Sequence, residues 1–569
     1  MRVEIRWFAT LLVFIAFNPL LHADQLDDLA RDFWNWRAAE MPVSTDDIPR
    51  LERPARWLPG WSPQSVVSYR QDLGKFEARW KGIDASKWPV SRQVDYRLMG
   101  SAISRVRWEL DVTRNWQRSP MFYLDQTIGA CFVLLLPPPP FGAERGRDII
   151  ATLNSFPTTL EDARKNLTEP VAPFARLAID ELRDVRTPMT ASLRELKPLL
   201  DRKSAGEFDT AAEKAIVALE SYRDWLTQKL PSMAAQTGVG REAYVFFLKN
   251  VALLPYSPEQ LLEIGRLEWA RSVAFQEYEE HRNAGLPQLP IFKNHQEEIA
   301  REESQELDVR RFLEDKNILS VPAWIQHYLM SPIPAYMKPL ADIGAGEADD
   351  FTSPSRLKEN GIRYSDPPSP KLGYFAMSIA TDPRGEIVHE GVPGHYFQLV
   401  LSWAHPDPIR RHYYDSSANE GIGFYAEEMM EEAGLFEDSP RSREMICSFM
   451  RLRALRVEVD VQLALGNFNI DQAAEYLRTT VPMDAKTAHT EAAFFASAPG
   501  QAISYQIGKV EISKFLAESK RRQGEKFSLR AFHDFLWLNG NVPIALQRWE
   551  CLGLKDEVDA LDAVAPGTP

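Results

Sequence analysis

Cysteine is nearly missing from this 569-residue sequence: Cys131, Cys447 and Cys551 are the whole supply. An odd count without close spacing excludes a disulfide scaffold and a cysteine-built zinc cluster, and leaves room for one bridge at most. Positive charge is also short. Lys and Arg number 66 against 80 Asp and Glu, a formal net charge of −14, which excludes the dense basic face that a nucleic-acid partner requires. Beyond the N-terminus no run of 18 uninterrupted apolar residues occurs, so no spanning helix is expected there. Cys131 to Leu136 runs straight into Pro137 to Pro140 and reads as a buried segment ending in a rigid loop. Alternating strands flanked by Asn-Gly or Asp-Gly turns are scarce, and neither repeats nor low-complexity tracts stand out. With 44% hydrophobic and 26% charged residues, the chain can nevertheless bury a large core.

Residues 1–23 stand apart. Arg2 and Arg6 precede or flank an apolar run from Trp7 to Phe17, and Leu21-His22-Ala23 ends in a small residue. The run is shorter than the ~20 residues of a spanning helix and is interrupted by Asn18-Pro19. It reads as a secretory signal peptide cleaved near Ala23, giving a periplasmic or secreted protein with no stable membrane insertion afterwards. No cysteine follows the run, so a lipid-modified N-terminal cysteine is not expected.

Helical periodicity dominates the remainder. Leu26, Leu29, Phe33 and Trp34 fall on one helical stripe. Ser257-Pro258-Glu259-Gln260 offers a cap, a proline at the first helical position and a reciprocal Gln; Ile264, Leu267, Phe275 and Tyr278 follow and are expected on one packed face. Ser528 can cap a helix carrying Leu529, Phe532 and Leu536, which Asn539-Gly540 can close. Forty prolines exclude long coiled coils and mark joints instead, clearest at 287–293 and 366–370. The expectation is an all-α fold, with an N-terminal helical region over 24–249 and a second helical region over 250–569.

Four of the ten histidines, His389, His395, His405 and His412, share a 24-residue window. Within it His389-Glu390-Gly391-Val392-Pro393-Gly394-His395 presents a His-Glu pair and a second His. Zinc sites commonly use H-E-x-x-H, where residues i and i+4 share a helix face. The second His here is at i+6, about 240° around an ideal helix, so regular geometry cannot bring both rings to one ion. Two readings stay open. Pro393 and Gly394 could bulge the helix and bring His395 round, or they could end it and leave His395 to cap or pack nearby. Glu420, in Asn419-Glu420-Gly421, offers a third ligand from a separate helix; equally, Ser417-x-x-Glu420 is a capping-box pattern. Gly421 and Gly423 favour the ligand reading, since small residues permit close approach.

Several ordered motifs resemble the bacterial domain-of-unknown-function family 885: Val388 to His395, Asn419 to Gly421, Pro499-Gly500-Gln501-Ala502-Ile503-Ser504-Tyr505-Gln506-Ile507-Gly508-Lys509, Phe527 to Asp534, and Asn539 to Pro543. The resemblance covers roughly residues 245–550. It implies a distant likeness to helical zinc peptidases such as thimet oligopeptidase and carboxypeptidase Taq, with two helical lobes around a deep cleft. Carried over by position, His389, His395 and Glu420 would bind Zn2+, and Glu390 would be the general base toward a zinc-activated water. Tyr505 would face the scissile carbonyl, with His412 and Tyr413 as further candidate donors. In one place the chain departs from the family pattern: Phe494-Phe495 stands where an Arg-Tyr pair is usual, which removes a partner for a substrate carboxylate and puts exopeptidase action in doubt. His489 and Glu491, close by, read as a solvated helix face. The function expected is a zinc metallopeptidase-like hydrolase acting on a peptide. The alternatives are a metal-dependent amidohydrolase on a small nonpeptide amide, and a zinc-free helical binding or scaffold protein.

Overall fold

The computed structural model describes residues 25–43 and 51–563; the expected signal segment and its cleavage site lie outside the described residues. The fold is all-α, 69% helix and 3% strand. Among the described residues no helix is long and apolar enough to cross a membrane. Cys131 and Cys447 are buried, Cys551 is exposed, and all three are free thiols.

Helix α1 (Gln25–Glu40) turns its expected stripe inward: Leu26, Leu29 and Phe33 are fully buried. Arg37 joins that face and pairs with Glu109. Helices α2 (Ala143–Asn166) and α3 (Arg202–Lys229) pack along one another. The largest apolar core gathers Phe33, Phe156 and Tyr222 with Tyr336, Ile409 and Val542, so it draws on residues 24–249 and 250–569 alike.

Helix α4 (Pro258–Asn283) begins as expected. The Ser257 hydroxyl accepts the Gln260 N–H at 3.3 Å and the Gln260 side chain accepts the Ser257 N–H at 2.8 Å. Its packed face, however, differs from the expectation: Leu267 and Tyr278 are 70% and 65% exposed. Leu261, Gly265, Ser272, Gln276 and Glu279 face inward instead. The reason is the close crossing with α8 (Pro440–Leu465). A Cβ at Gly265 would stand 2.9 Å from the Val457 side chain, and Arg451 and Arg443 reach Gln276 and Glu279. A seam of small and paired polar residues is invisible to apolar periodicity.

After α5 (His295–Asp315) comes a small sheet of β1 (Tyr328–Pro332), β2 (Asp349–Asp350) and β3 (Gly361–Ser365), in the order β1-β3-β2. Strand β3 runs parallel to β1, with Tyr328 opposite Gly361, and antiparallel to β2. It presents Arg363 to Glu386 and Asp349, bracing the turn that leads to His389. Around the candidate site stand α6 (His395–Trp403), α7 (Ser416–Glu432), α9 (Gln501–Gln523) and α10 (Leu529–Leu538). At α10 the Ser528 hydroxyl accepts the Ala531 N–H, and Gly540 follows at φ +83°, as the sequence predicts. Helices α7 and α9 meet at glycine on glycine: a Cβ at Gly421 would lie 2.7 Å from the Gly508 Cα. That contact sets the distance between two helices that both supply the candidate site.

Candidate metal centre

His389 and His395 do converge, by a route neither a straight nor a bulged helix provides. Ile387–Gly391 forms one π-helical turn, Val392 is extended, and a new helix, α6, opens at His395. The chain turns so tightly between them that a Cβ on Gly394 would lie 1.7 Å from the His389 carbonyl oxygen; only glycine fits. The Trp537 indole N–H, from α10, donates to the Pro393 carbonyl at 2.7 Å, satisfying a buried acceptor at the break. The two imidazole centroids end 4.7 Å apart.

Glu420 points at both rings. Its Oε2 is 3.1 Å from Nε2 of His395 and 3.6 Å from Nε2 of His389. The capping reading for this residue falls away, because the cap of α7 is Asp415, whose carboxylate accepts the Ser417 N–H. Asn419 and Asn541 both donate to the Gln398 side-chain oxygen, at 3.0 and 3.2 Å. Two of the sequence motifs thereby lock α7 and the C-terminal loop onto α6. Gly423, one turn past Glu420, makes room for the rings: a Cβ there would sit 3.0 Å from Cε1 of each imidazole.

Glu390 completes the cluster. Its carboxylate and the ring nitrogens of His389 and His395 all lie within 4.8 Å of one another. Its side chain is 24% exposed against 7% for His389, so it is the more open to solvent.

Behind His389 lie groups the sequence reading did not single out. Nδ1 of His389 is 2.6 Å from Oε1 of Glu427, and Arg453 Nη2 lies 2.7 Å from the same oxygen. Nδ1 of His389 therefore faces the Glu427 carboxylate, and Nε2 turns toward Glu420. Burial works against the charged imidazole, but the hydrogen bonds with Glu420 and Glu427 and the Glu427 charge overcome it, holding the His389 pKa up at about 10. Burial likewise opposes the Glu420 carboxylate, yet the adjacent His395 and His389 hold it well below the usual range. Nδ1 of His395, by contrast, is buried without a hydrogen-bond partner.

Tyr505 sits on the first turns of α9 with its ring nearly parallel to that of His389, centroids 6.2 Å apart. Arg456 lies 4.5 Å over the same phenol ring and is held by Glu491 through bonds of 2.5 and 2.8 Å. Glu491 is therefore an anchor, while His489 alone has the solvated position expected of both. Asp460 secures the start of α9, accepting the N–H groups of Gly500, Ala502 and Ile503 and the Tyr244 hydroxyl. Gln501 then reaches Oε1 of Glu420 at 3.4 Å. Arg453, Arg456 and Asp460 are spaced i, i+3, i+7 on α8 and are all buried; charged residues on the inward stripe of an apolar helix are the signal that could have revealed them. Glu427 likewise stands two turns after Glu420 on the same face.

The structure leaves His412 and Tyr413 out of this cluster. His412 packs against Trp34 of α1 with ring centroids 6.1 Å apart, and the Tyr413 hydroxyl bonds to Ser101 in the main core.

As a cation site, the donor set fits zinc. Bonds of ~2.0–2.1 Å at tetrahedral angles separate ligand atoms by ~3.3–3.4 Å, and the Glu420-to-imidazole separations bracket that value.

The family described as bacterial protein of unknown function (DUF885) matches residues 51–549. Among curated proteins none matches. Two solved structures share the fold. A "putative lipoprotein of unknown function" from Shewanella oneidensis has a TM-score of 0.69 at 17% identity, covering 92% of this chain and 98% of its own. A "putative lipoprotein" from Colwellia psychrerythraea has a TM-score of 0.69 at 17% identity, covering 95% and 100%. With a match that takes in nearly the whole helical body, from Leu51 through the metal-centre motifs to Trp549, the chain belongs to the DUF885 family of bacterial proteins.

Proposed function

We propose that this chain is an exported, zinc-dependent hydrolase of peptide bonds or closely related amides. The observation that carries the reading is the convergence of His389, His395 and Glu420, drawn from helices α6 and α7 and the π-helical turn before α6, with Glu390 alongside. A bound Zn2+ would supply Lewis acidity toward a carbonyl and activation of water near neutral pH. Glu390, the most open of the four, would take the water's proton and deliver it to the departing amine. Tyr505 would donate its hydroxyl to the oxygen on which charge develops; burial keeps that phenol protonated far above neutrality, as a donor must be. Glu427 and Arg453 would hold the His389 ring in register. Export is supported by the charge and hydropathy pattern of residues 1–23 and by the lipoprotein description of both solved structures.

Zinc per chain, measured by elemental analysis on mature protein purified without a metal-affinity tag, tests the reading. About one zinc is expected in the wild type, with large losses in His389→Ala and His395→Ala. A Glu390→Gln protein should keep the metal and lose peptide hydrolysis. Absence of zinc after the ion is offered would refute the proposal and favour a helical binding protein. Turnover of small nonpeptide amides alone would redirect it to an amidohydrolase.

A further inference from the structure

A cavity of about 220 Å³ lies beside the first turns of α7 and α9. Its wall includes Gln501, whose side-chain amide donates to Glu420, and Ser416 and Ser417, one turn ahead of Glu420 on α7. Gln501 thus links the cavity wall to Glu420. The volume is below the ~300–1,000 Å³ of sites that enclose a whole small molecule, so it suits one large side chain.

The lining is mixed: one wall is aromatic, while Glu109, Asn115, Asp125, Asp415, Ser416 and Ser417 bring polar groups to the rest. Trp61, Trp108, Trp116, Phe122, Phe247 and Phe494 face the cavity. The Trp116 indole N–H is already spent on the Leu110 carbonyl, leaving the ring as an apolar surface. The guanidinium groups present are neutralised in pairs, Arg37 by Glu109 and Arg105 by Asp415. Phe494, the first residue of the Phe494-Phe495 pair, is part of the aromatic wall. The aromatic wall rewards burial of an apolar ring, through area removed from water and through edge-to-face contacts.

We infer that this cavity is a specificity subsite for a bulky apolar, chiefly aromatic, side chain of the substrate peptide. The inference rests on the proposed hydrolase reading for its catalytic arm, and a second arm is independent of hydrolysis.

The first arm compares kcat/KM for blocked peptides carrying Ala, Phe or Asp at each position in turn, in zinc-loaded wild type and in Ala498→Phe, whose new ring would occupy the cavity. At one position the wild type should prefer Phe over Ala by at least tenfold, with Asp poorest; in the variant the Phe-to-Ala ratio should fall to near one. The second arm titrates N-acetylphenylalanine amide and N-acetylalanine amide while following the tryptophan fluorescence, which Trp61, Trp108 and Trp116 would report. Only the phenyl ligand should bind, and only to the wild type. If Ala498→Phe fails to fold, Phe494→Ala serves instead: the widened cavity should raise the Trp-to-Phe peptide ratio at least threefold. Saturable phenyl binding without any hydrolysis would sink the hydrolase reading and leave the subsite standing. Equal cleavage of Ala and Phe peptides at every position, with no phenyl binding, would overturn the subsite and leave the hydrolase intact.

Discussion

Gly423→Ala probes the candidate centre with one carbon atom. The added methyl would sit 3.0 Å from Cε1 of His389 and of His395, and 3.2 Å from Nδ1 of His389. Ordinary carbon contacts lie at ~3.5–4.0 Å, so both rings must retreat by ~0.5–1 Å. Metal-ligand distances tolerate ~0.2 Å, and neither ring is free to move: His389 is held by Glu427, and His395 opens α6 behind the Gly394 break. Misplaced ligand shells typically cost ~10–100-fold in metal affinity, or about 1.4–2.8 kcal/mol. In the metal-free fold the strain of displacing the two rings is offset in part by the ~1 kcal/mol that Ala gains over Gly in a helix. Gly421→Ala is the contrast. There the methyl meets the Gly508 backbone at 2.7 Å, so α7 and α9 must separate and stability should fall by ~1–3 kcal/mol. The assay is zinc competition against a chromophoric chelator, paired with urea unfolding of the metal-free proteins. A folded Gly423→Ala protein that binds zinc within twofold of wild type would refute the placement of the ion between these rings.

Three further outcomes follow from the same structure. Glu427→Gln keeps the shape but removes the charge beside His389 Nδ1, so zinc affinity should fall ~10–100-fold; an unchanged chelator titration would mean that Glu427 is merely packed there. Asp460→Ala strands three helix N–H groups and the Tyr244 hydroxyl, a loss on the order of 3 kcal/mol or more in urea unfolding, and a cost under ~1 kcal/mol would show that water replaces the carboxylate. His533 donates from Nδ1 to the Ile318 carbonyl and faces the Tyr425 hydroxyl with Nε2, and burial lowers its pKa to about 4 from ~6.5 in the unfolded chain. Between those values the unfolded state binds the extra proton, so this contribution is complete above pH ~6.5 and is lost as pH falls toward 4, by about 3 kcal/mol at most. His533→Gln should flatten the difference in urea midpoint between pH 7 and pH 5 relative to wild type; an identical slope would locate the acid sensitivity elsewhere.

What could be read from the sequence divides along a physical line. Caps are local, so Ser257 with Gln260, Ser528, and Gly540 were legible, and so was the inward stripe of α1, where apolar side chains alone do the packing. The face of α4 was not, because its seam with α8 is made of Gly265 and of Gln276 and Glu279 meeting arginines, with partners 164 to 192 residues away in the chain. The site shows both sides of this. His389, Glu390, His395 and Glu420 announced themselves by residue type, yet spacing alone left His395 undecided, since i+6 has no place on a regular helix. The resolution lies in Val392-Pro393-Gly394, which stops one helix and lets another begin, with a glycine where a Cβ would overlap the His389 carbonyl. Glu427, Arg453 and Arg456 carried no such announcement. Each is one charged residue among many until α7 and α8 pack, and only then do the carboxylate behind His389 and the guanidinium over Tyr505 acquire the partners that keep them buried. A buried charge is costly without its partner. These three therefore mark where the helices must meet with least tolerance, and substitutions there should move the histidine and the phenol together.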